Sequence, residues 1–305
     1  MLVGVLFGIA AAFSIGINQV LMTYAARQWG TIRATLASLV IAFAFFILFA
    51  LATGANLPFR GNDLFPLILG IGIAAGIAYL AQLESLRLGP LSVVSPIGAT
   101  AGAMTVFYAF VLLGERPSSL QWIGIPLATA GAIAVSIERI AGRKFKLISK
   151  GPLFAFIAVV TGAISNAVLR IPVRELGSMA AIIFQRSFTI ALVLMVFYIM
   201  ARRGRLLARI SQETPVETKK PNADFIEKFK WRFLLLIIGF LDAAAFIFFA
   251  EGLQRADAWL IGILSQSGRV IAVIGGFVFF HERLRSHQWL GTVMVLGGLI
   301  LSVLG

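Results

Sequence analysis

Composition separates this chain from water-soluble proteins. Of its 305 residues, 59% are hydrophobic and 13% are charged, whereas soluble domains are about 45–50% apolar and about 25% charged. The mean hydropathy of +0.95 means that lipid must solvate much of the surface. These values exclude a disordered chain and an ordinary cytosolic enzyme. The absence of cysteine also excludes a disulfide scaffold, thiol catalysis and cysteine-ligated metals.

Basic residues outnumber acidic residues by 26 to 13, which gives a net charge of +13. Most of them lie in short polar stretches between apolar segments. This distribution favours topology signalling and contact with anionic lipid headgroups. We therefore expect a lipid bilayer and a small-molecule substrate as partners, and no nucleic acid.

The apolar segments are long enough to cross a membrane, which requires about 20 residues. They lack the polar and apolar alternation of a membrane β-barrel. The sequence therefore predicts an all-α membrane protein with ten transmembrane helices. The predicted spans are residues 2–25, 34–53, 64–83, 91–113, 120–137, 152–171, 179–200, 233–250, 258–280 and 288–304.

The chain contains an internal duplication. A shift of 167 residues aligns 84–138 with 251–305 without a gap, and 13 of the 55 aligned pairs are identical. The identities concentrate in GERPSSLQWIG and HERLRSHQWLG, which pairs Glu115 with Glu282. A shift of 147 residues also aligns 4–30 with 151–177. We predict a first five-helix repeat at 1–138, a basic linker at 139–150, and a second repeat at 151–305 with a basic insertion near 201–232.

Because each repeat has an odd number of spans, the second repeat enters the membrane upside down. Inverted repeats are typical of secondary transporters, whose substrate site lies near the membrane midplane between the halves. One set of connecting loops carries 19 lysines and arginines and the other carries five. The positive-inside rule then places the first set in the cytoplasm and both termini outside.

Three stretches carry a family resemblance. They are LESLRLGPLSVVSPIGA at 83–99, the Gly-Glu-Arg turn at 114–116 with Trp122 and Gly124, and the echo of that turn at 282–291. Together they resemble the drug/metabolite transporter superfamily, in particular EamA-type permeases with two EamA domains.

This resemblance implies a ten-helix exporter of the bacterial inner membrane with a cavity between spans 1, 3, 4, 6, 8 and 9. The chain departs from the family pattern because Pro96 aligns with Ile263. The first span also lacks the glutamate with which the small multidrug-resistance branch binds cations.

Ionisable residues inside predicted spans are candidates for function. Arg269, with Gln266 one turn before it, could bind a carboxylate, or it could pair internally with Asp242. Asp242 could instead carry a coupling proton. The remaining candidates for substrate binding are Asn18, Asn166, Tyr79 and Ser95, for which interhelical hydrogen bonding is the alternative.

Other residues are candidates for movement or for structure. Glu84 and Glu251 could gate the site by alternating with nearby arginines, or form ordinary pairs within a helix turn. Pro96 is a candidate hinge, because proline removes a helix hydrogen bond. We expect Arg186 to extend towards the outer face or to pair within the bundle, and Glu115 and Glu282 to be structural turn residues.

We therefore expect a secondary transporter that exports a small polar metabolite by alternating access. The sequence holds no metalloprotease, nucleophile-elbow, P-loop or dinucleotide motif, so we predict no enzyme activity, cofactor or metal. The alternatives are a cationic drug or multidrug exporter, an intramembrane enzyme or flippase acting on a lipid-linked substrate, and a membrane scaffold that transports nothing. The sequence is also compatible with a homodimer.

Overall fold

A computed structural model describes residues 2–29, 31–55, 63–116, 118–136, 150–202, 231–282 and 285–304. These residues form thirteen α-helices and no β-strand. Most of the predicted linker at 139–150 and of the predicted insertion at 201–232 lies outside the described residues. The helices are α1 (Leu2–Trp29), α2 (Thr31–Thr53), α3 (Phe65–Leu88), α4 (Leu91–Ala99), α5 (Ala101–Leu113), α6 (Ser119–Ser136), α7 (Lys150–Val168), α8 (Arg170–Leu176), α9 (Ser178–Arg202), α10 (Trp231–Arg255), α11 (Ala258–Ser267), α12 (Arg269–Phe280) and α13 (Ser286–Leu304).

Eight helical stretches among the described residues are long and apolar enough to cross a membrane. Three of them each comprise two consecutive helices, namely α4 with α5, α7 with α8, and α11 with α12. Large apolar side chains face outwards, as a lipid-facing surface requires; Leu51, for example, is 75% exposed. The chain is thus a multi-pass integral membrane protein, and all the regular secondary structure of its described residues is helical. The two remaining apolar helices, α6 and α13, are not among the eight, so the number of ten spans stays a prediction.

Two of the spanning stretches are interrupted within one residue of equivalent positions in the repeat alignment. The break between α4 and α5 is at Thr100, and the break between α11 and α12 is at Gly268. Pro96 precedes only the first break, so a proline cannot be the common cause. At Gly268 a side chain would collide with the backbone carbonyl of Ala12 in α1. The second break therefore lies where two backbones approach closely.

Helices α6 and α13 pack on each other through reciprocal contacts. A Cβ atom on Gly131 would lie 2.6 Å from the carbonyl oxygen of Gly291, and a Cβ on Gly298 would lie 2.6 Å from the carbonyl oxygen of Gly124. The repeat alignment pairs Gly131 with Gly298 and Gly124 with Gly291. Such an exchange of equivalent partners is what a two-fold relation between the halves would produce.

Candidate functional site: a polar cavity between the two halves

A cavity of about 190 Å³ lies inside the helical bundle, and residues of α1, α3, α5, α7, α9, α10, α11 and α12 contribute to its wall. It brings together polar groups that are far apart in sequence. Six of the seven residues predicted to bind substrate line it, namely Asn18, Tyr79, Asn166, Asp242, Gln266 and Arg269. Their roles as ligands of a substrate stay predictions, but their convergence gives a site in which to test them.

Arg269 begins α12 directly after the break at Gly268, and neutral amides hold its guanidinium group. Its Nε donates a hydrogen bond to Oε1 of Gln266 at 2.8 Å, and its Nη1 lies 3.3 Å from Oε1 of Gln82. Gly98 provides the necessary space, because a Cβ atom there would overlap the guanidinium. In the described part of the chain, no carboxylate forms a salt bridge with Arg269.

Asp242 is paired with a different arginine from the one that the sequence suggested. Its Oδ2 lies 3.7 Å from Nη2 of Arg186, so Arg269 is not its partner. The guanidinium of Arg186 stacks over the ring of Phe246 at 3.5 Å, and the residue is only 2% exposed. The expectation that Arg186 extends towards the outer face is therefore wrong, and its alternative, pairing within the bundle, is what the structure shows.

Several polar atoms of the cavity have no hydrogen-bond partner among the described residues. They include Nε2 of Gln19 and Gln82, Oε1 of Gln185 and Oδ2 of Asp242. Buried polar atoms are normally satisfied by protein or water, and these four comprise both donors and acceptors. The cavity can therefore supply hydrogen bonds of both kinds to a polar ligand.

Ser95, the seventh predicted residue, does not line the cavity. It is fully buried, and its Oγ lies 3.0 Å from the carbonyl oxygen of Arg269 and 3.3 Å from Oε1 of Gln19. Its neighbour Pro96 is also buried inside α4. Its position on α4 directs the hydroxyl towards the start of α12 and not into the cavity wall, and its role in substrate binding stays a prediction.

Two of the cavity residues also make the interhelical hydrogen bonds that were their alternative role. Nδ2 of Asn18 donates to the backbone carbonyl of Ile238 in α10 at 2.8 Å. The hydroxyl of Tyr79 lies 3.2 Å from Oγ of Ser38 in α2. These side chains therefore connect helices and border the cavity at once.

The two glutamates proposed for gating lie away from the central cavity. Glu84 pairs with Arg87 one turn later, at 2.6 Å. Glu251 contacts Arg255 and Ser178, and it borders a second, mainly apolar cavity of about 920 Å³ between α2, α9 and α10. Both form the local pairs that were the alternative to gating, and their gating role stays a prediction.

Two cavity residues, Gln185 and Arg186 on α9, were not among the predicted ligands. The family resemblance implies that this span lies outside the cavity, whereas the structure places these two residues in the cavity wall. The available signal was the presence of two adjacent polar residues within an apolar span, because such residues usually face the bundle interior.

A family model and a sequence relative both indicate a transporter, and a solved structure shows the same fold. A family model described as "EamA-like transporter family" matches residues 2–137 and 149–304. A relative from Sinorhizobium sp, described as "Uncharacterized transporter in cobO 3'region", is 29% identical over 66 residues, which cover 22% of this chain and 47% of the relative. The match thus spans about half the length of that relative. A solved structure described as "Crystal structure of protein" has the same fold, with a TM-score of 0.65 at 19% identity, over 99% of this chain and 96% of the other.

Proposed function

The chain belongs to the EamA-like transporter family, and we propose that it is a secondary transporter that exports a small metabolite carrying a carboxylate group. The observation that carries this proposal is the state of Arg269. Its guanidinium borders the cavity, and the groups that hold it are neutral amides. A carboxylate on the substrate would supply the missing charge through charge-assisted hydrogen bonds.

The other charges of the cavity support the same substrate class. Asp242 lies beside Arg186, so these two charges offset each other and Arg269 leaves the site with one net positive charge. Oδ2 of Asp242 and Oε1 of Gln185, which accept no hydrogen bond from the described residues, could accept one from a hydroxyl or ammonium group of the same molecule. The cavity of about 190 Å³ is smaller than the roughly 300–1,000 Å³ of pockets that bury drug-sized ligands. This size favours a small metabolite over a drug.

We propose that transport occurs by alternating access between two inverted five-helix repeats, with α6 and α13 completing ten spans. The reciprocal glycine contacts of α6 and α13 support a two-fold relation, and the cavity draws its wall from both repeats. In this mechanism Pro96 is a hinge, Asp242 is the candidate coupling carboxylate, and Glu84 and Glu251 assist gating. We also propose that the termini lie outside a bacterial inner membrane with anionic headgroups, and the surplus of basic residues in one set of loops supports this orientation.

One observation favours a second candidate function, the movement of an amphiphile or lipid-linked substrate. The second cavity is larger, at about 920 Å³, and aromatic residues such as Phe45 and Phe240 line it beside Glu251. A ligand with an apolar body and a cationic group would suit this lining. The two candidates predict different ligands, so one binding screen separates them.

The test is thermal stabilisation of the purified protein by amino acids, organic acids, sugars, nucleotides and amphiphilic cations. A ligand present above its Kd raises the apparent stability by mass action. We expect a small carboxylate to stabilise the wild type. Arg269→Gln should weaken its binding by about 10- to 100-fold, because a hydrogen bond to a charged group contributes about 1.5–3 kcal/mol. The matched control is Arg202→Gln, an exposed arginine at the end of α9, which should bind like the wild type.

Stabilisation by amphiphilic cations alone, with an equal response from Arg269→Gln, would contradict the proposal. That result would instead support the second candidate function, with the ligand bound in the second cavity. Uptake of the stabilising compound into inverted membrane vesicles, driven by an ion gradient, then tests transport and its direction.

A further inference from the structure

Two glutamates outside the central cavity occupy equivalent turns of the two repeats. Helix α5 ends at Gly114 in a left-handed conformation with φ of 67°, and α12 ends at His281 with φ of 51°. The next residues are Glu115 and Glu282, whose backbone N–H groups donate to the carbonyls of Ala109 and Gly276. This is a standard way to end a helix, and here it turns each following carboxylate away from its own helix.

Glu282 binds the start of a helix in the other repeat. Its Oε1 accepts a hydrogen bond from the backbone N–H of Leu91 at 3.0 Å, and its Oε2 accepts one from Ser92 at 2.7 Å. These are the first N–H groups of α4, where the helix dipole favours a negative charge. Arg27, in the last turn of α1, completes the cluster, with Nη2 3.0 Å from Oε1 of Glu282.

Glu115 in the first repeat makes contacts of the same kind with the second repeat. Its two carboxylate oxygens accept hydrogen bonds at 3.3 Å from the backbone N–H groups of Ala258 and Trp259, at the start of α11. Arg170, which begins α8, forms an ion pair with it. The repeat alignment pairs Leu91 with Ala258 and Ser92 with Trp259. Each carboxylate therefore binds two backbone groups and one arginine, all from the opposite repeat.

The two clusters lie at opposite ends of the molecule, with the central cavity between them. Leu91 begins and Glu115 follows a 23-residue stretch, which corresponds to roughly 34 Å at about 1.5 Å per helical residue. Helix α1 links the same two ends, because Gly4 packs against Ala256, close to the Glu115 cluster, while Arg27 reaches Glu282. Gln19 and Arg269, near the middle, border the cavity.

We propose that Glu115 and Glu282 are the latches of two gates, one at each end of the cavity, and that transport opens one latch while the other stays closed. This inference rests on the proposed function, because it concerns the gating of that same cavity. Each latch joins parts that move relative to each other when the two repeats rock. A buried carboxylate–arginine pair also contributes little net stability, since desolvation offsets its attraction. An opened latch, with its charges in water, is therefore accessible in energy.

The absence of cysteine from the chain gives a direct test. The reporter is Ala75→Cys, which places a single thiol on the wall of the cavity. A membrane-impermeant maleimide is added to right-side-out and to inverted vesicles without any substrate, and the two labelling rates are compared. The ratio of these rates reports which end of the cavity is open.

Glu282→Gln keeps the shape of the side chain but weakens its attraction to Arg27 and to the helix start. We expect labelling from the Glu282 end to rise by about fivefold, because a charge-assisted hydrogen bond becomes a neutral one. Glu115→Gln should shift the ratio in the opposite direction, and the double variant should return it towards the wild-type value. Glu175→Gln, an exposed carboxylate on α8, is the matched control and should leave the ratio unchanged.

If both variants shift the labelling ratio in the same direction, or if folded variants do not shift it, the proposal is overturned. Both carboxylates would then have a structural role only. If a glutamine variant does not fold, Arg27→Gln replaces Glu282→Gln, and Arg170→Gln replaces Glu115→Gln. These two variants should again shift the labelling ratio in opposite directions. Because the measurement needs no substrate, it is independent of the ligand screen. If the two variants shift the labelling ratio in opposite directions but the protein binds no carboxylate, the two gates stand. Only the proposed substrate class is then refuted.

Discussion

The central cavity contains two arginines whose surroundings differ. Arg186 is 2% exposed, stacks on Phe246 and has the carboxylate of Asp242 at 3.7 Å. Arg269 is half-buried, and its contacts are the amide oxygens of Gln266 and Gln82. The first cation lies beside a carboxylate of the protein, whereas no carboxylate among the described residues forms a salt bridge with the second.

This difference separates a structural charge from one that can take part in binding. An ionised side chain within a membrane is costly unless a partner offsets it. For Arg186 this partner is Asp242, which offsets the positive charge as long as the two side chains stay together. In the proposed function, Arg269 gains an equivalent partner when an anionic substrate enters the cavity, so its energy would then depend on the substrate. Substitutions that act on one arginine and spare the other test this division.

The largest expected effect comes from Asp242→Asn, which leaves Arg186 buried and uncompensated. Removing one partner of a buried pair costs about 3–5 kcal/mol of stability, and we expect a corresponding fall in the thermal unfolding temperature. Arg186→Met in the same protein should recover most of the loss, because both charges are then absent. Asp63→Asn, at an exposed carboxylate, is the control and should change stability by less than about 1 kcal/mol.

A loss below about 1 kcal/mol for Asp242→Asn, set against the cost expected for a broken buried pair, would contradict the division between the two arginines. It would mean that Asp242 does not offset Arg186. The same variant also tests proton coupling, because an asparagine cannot release a proton. Transport that no longer responds to a pH gradient, in protein rescued by Arg186→Met, would support Asp242 as the coupling group.

A smaller effect is expected from Gly98→Ala, which acts on Arg269 alone. The added Cβ would overlap the guanidinium, so the side chain must move from its present contacts. Overpacking of this kind costs about 1–3 kcal/mol, and we expect a loss of carboxylate binding of about tenfold in the ligand titration. Gly70→Ala is the matched control, because nothing lies within 4 Å of a Cβ at that helical position. Wild-type affinity in Gly98→Ala would show that the position of Arg269 is not critical.

The sequence predicted which residues stand out but not how they pair. Charged and amide residues are conspicuous in apolar spans, which is why six of the seven predicted ligands border the cavity. The partner of Asp242 depends on how α9 and α10 rotate about their axes, and no spacing within one span specifies that rotation. The sequence therefore allowed Arg186 to pair within the bundle but did not identify Asp242 as its partner.

The helix breaks show the same limit. A proline marks the break at Thr100 in advance, since Pro96 lies one turn before it. The break at Gly268 has no local signal, because its neighbour is the backbone of Ala12 in another helix. The duplication, in contrast, was visible as identities at Glu115 and Glu282. Their contacts with the opposite repeat needed the three-dimensional arrangement.

The smallest expected effects come from the two amides that hold Arg269. The bond from Gln266 measures 2.8 Å and the contact with Gln82 measures 3.3 Å. Each hydrogen bond contributes about 0.5–1.5 kcal/mol, so Gln266→Ala should weaken carboxylate binding by several-fold and Gln82→Ala by less. Neither change should alter stability as Asp242→Asn does, because neither amide contacts Arg186. The measurement is a titration of each variant with the carboxylate that stabilises the wild type.

Gln254→Ala is the control for these titrations, since this amide donates to the backbone of Val173 and lies outside the central cavity. Equal affinity in the wild type and in both cavity variants would mean that helix α12 alone positions the guanidinium. A stability loss as large as that of Asp242→Asn would mean that the amides, and not an incoming anion, offset the buried charge. Arg269 would then resemble Arg186, and the distinction between the two arginines would fail.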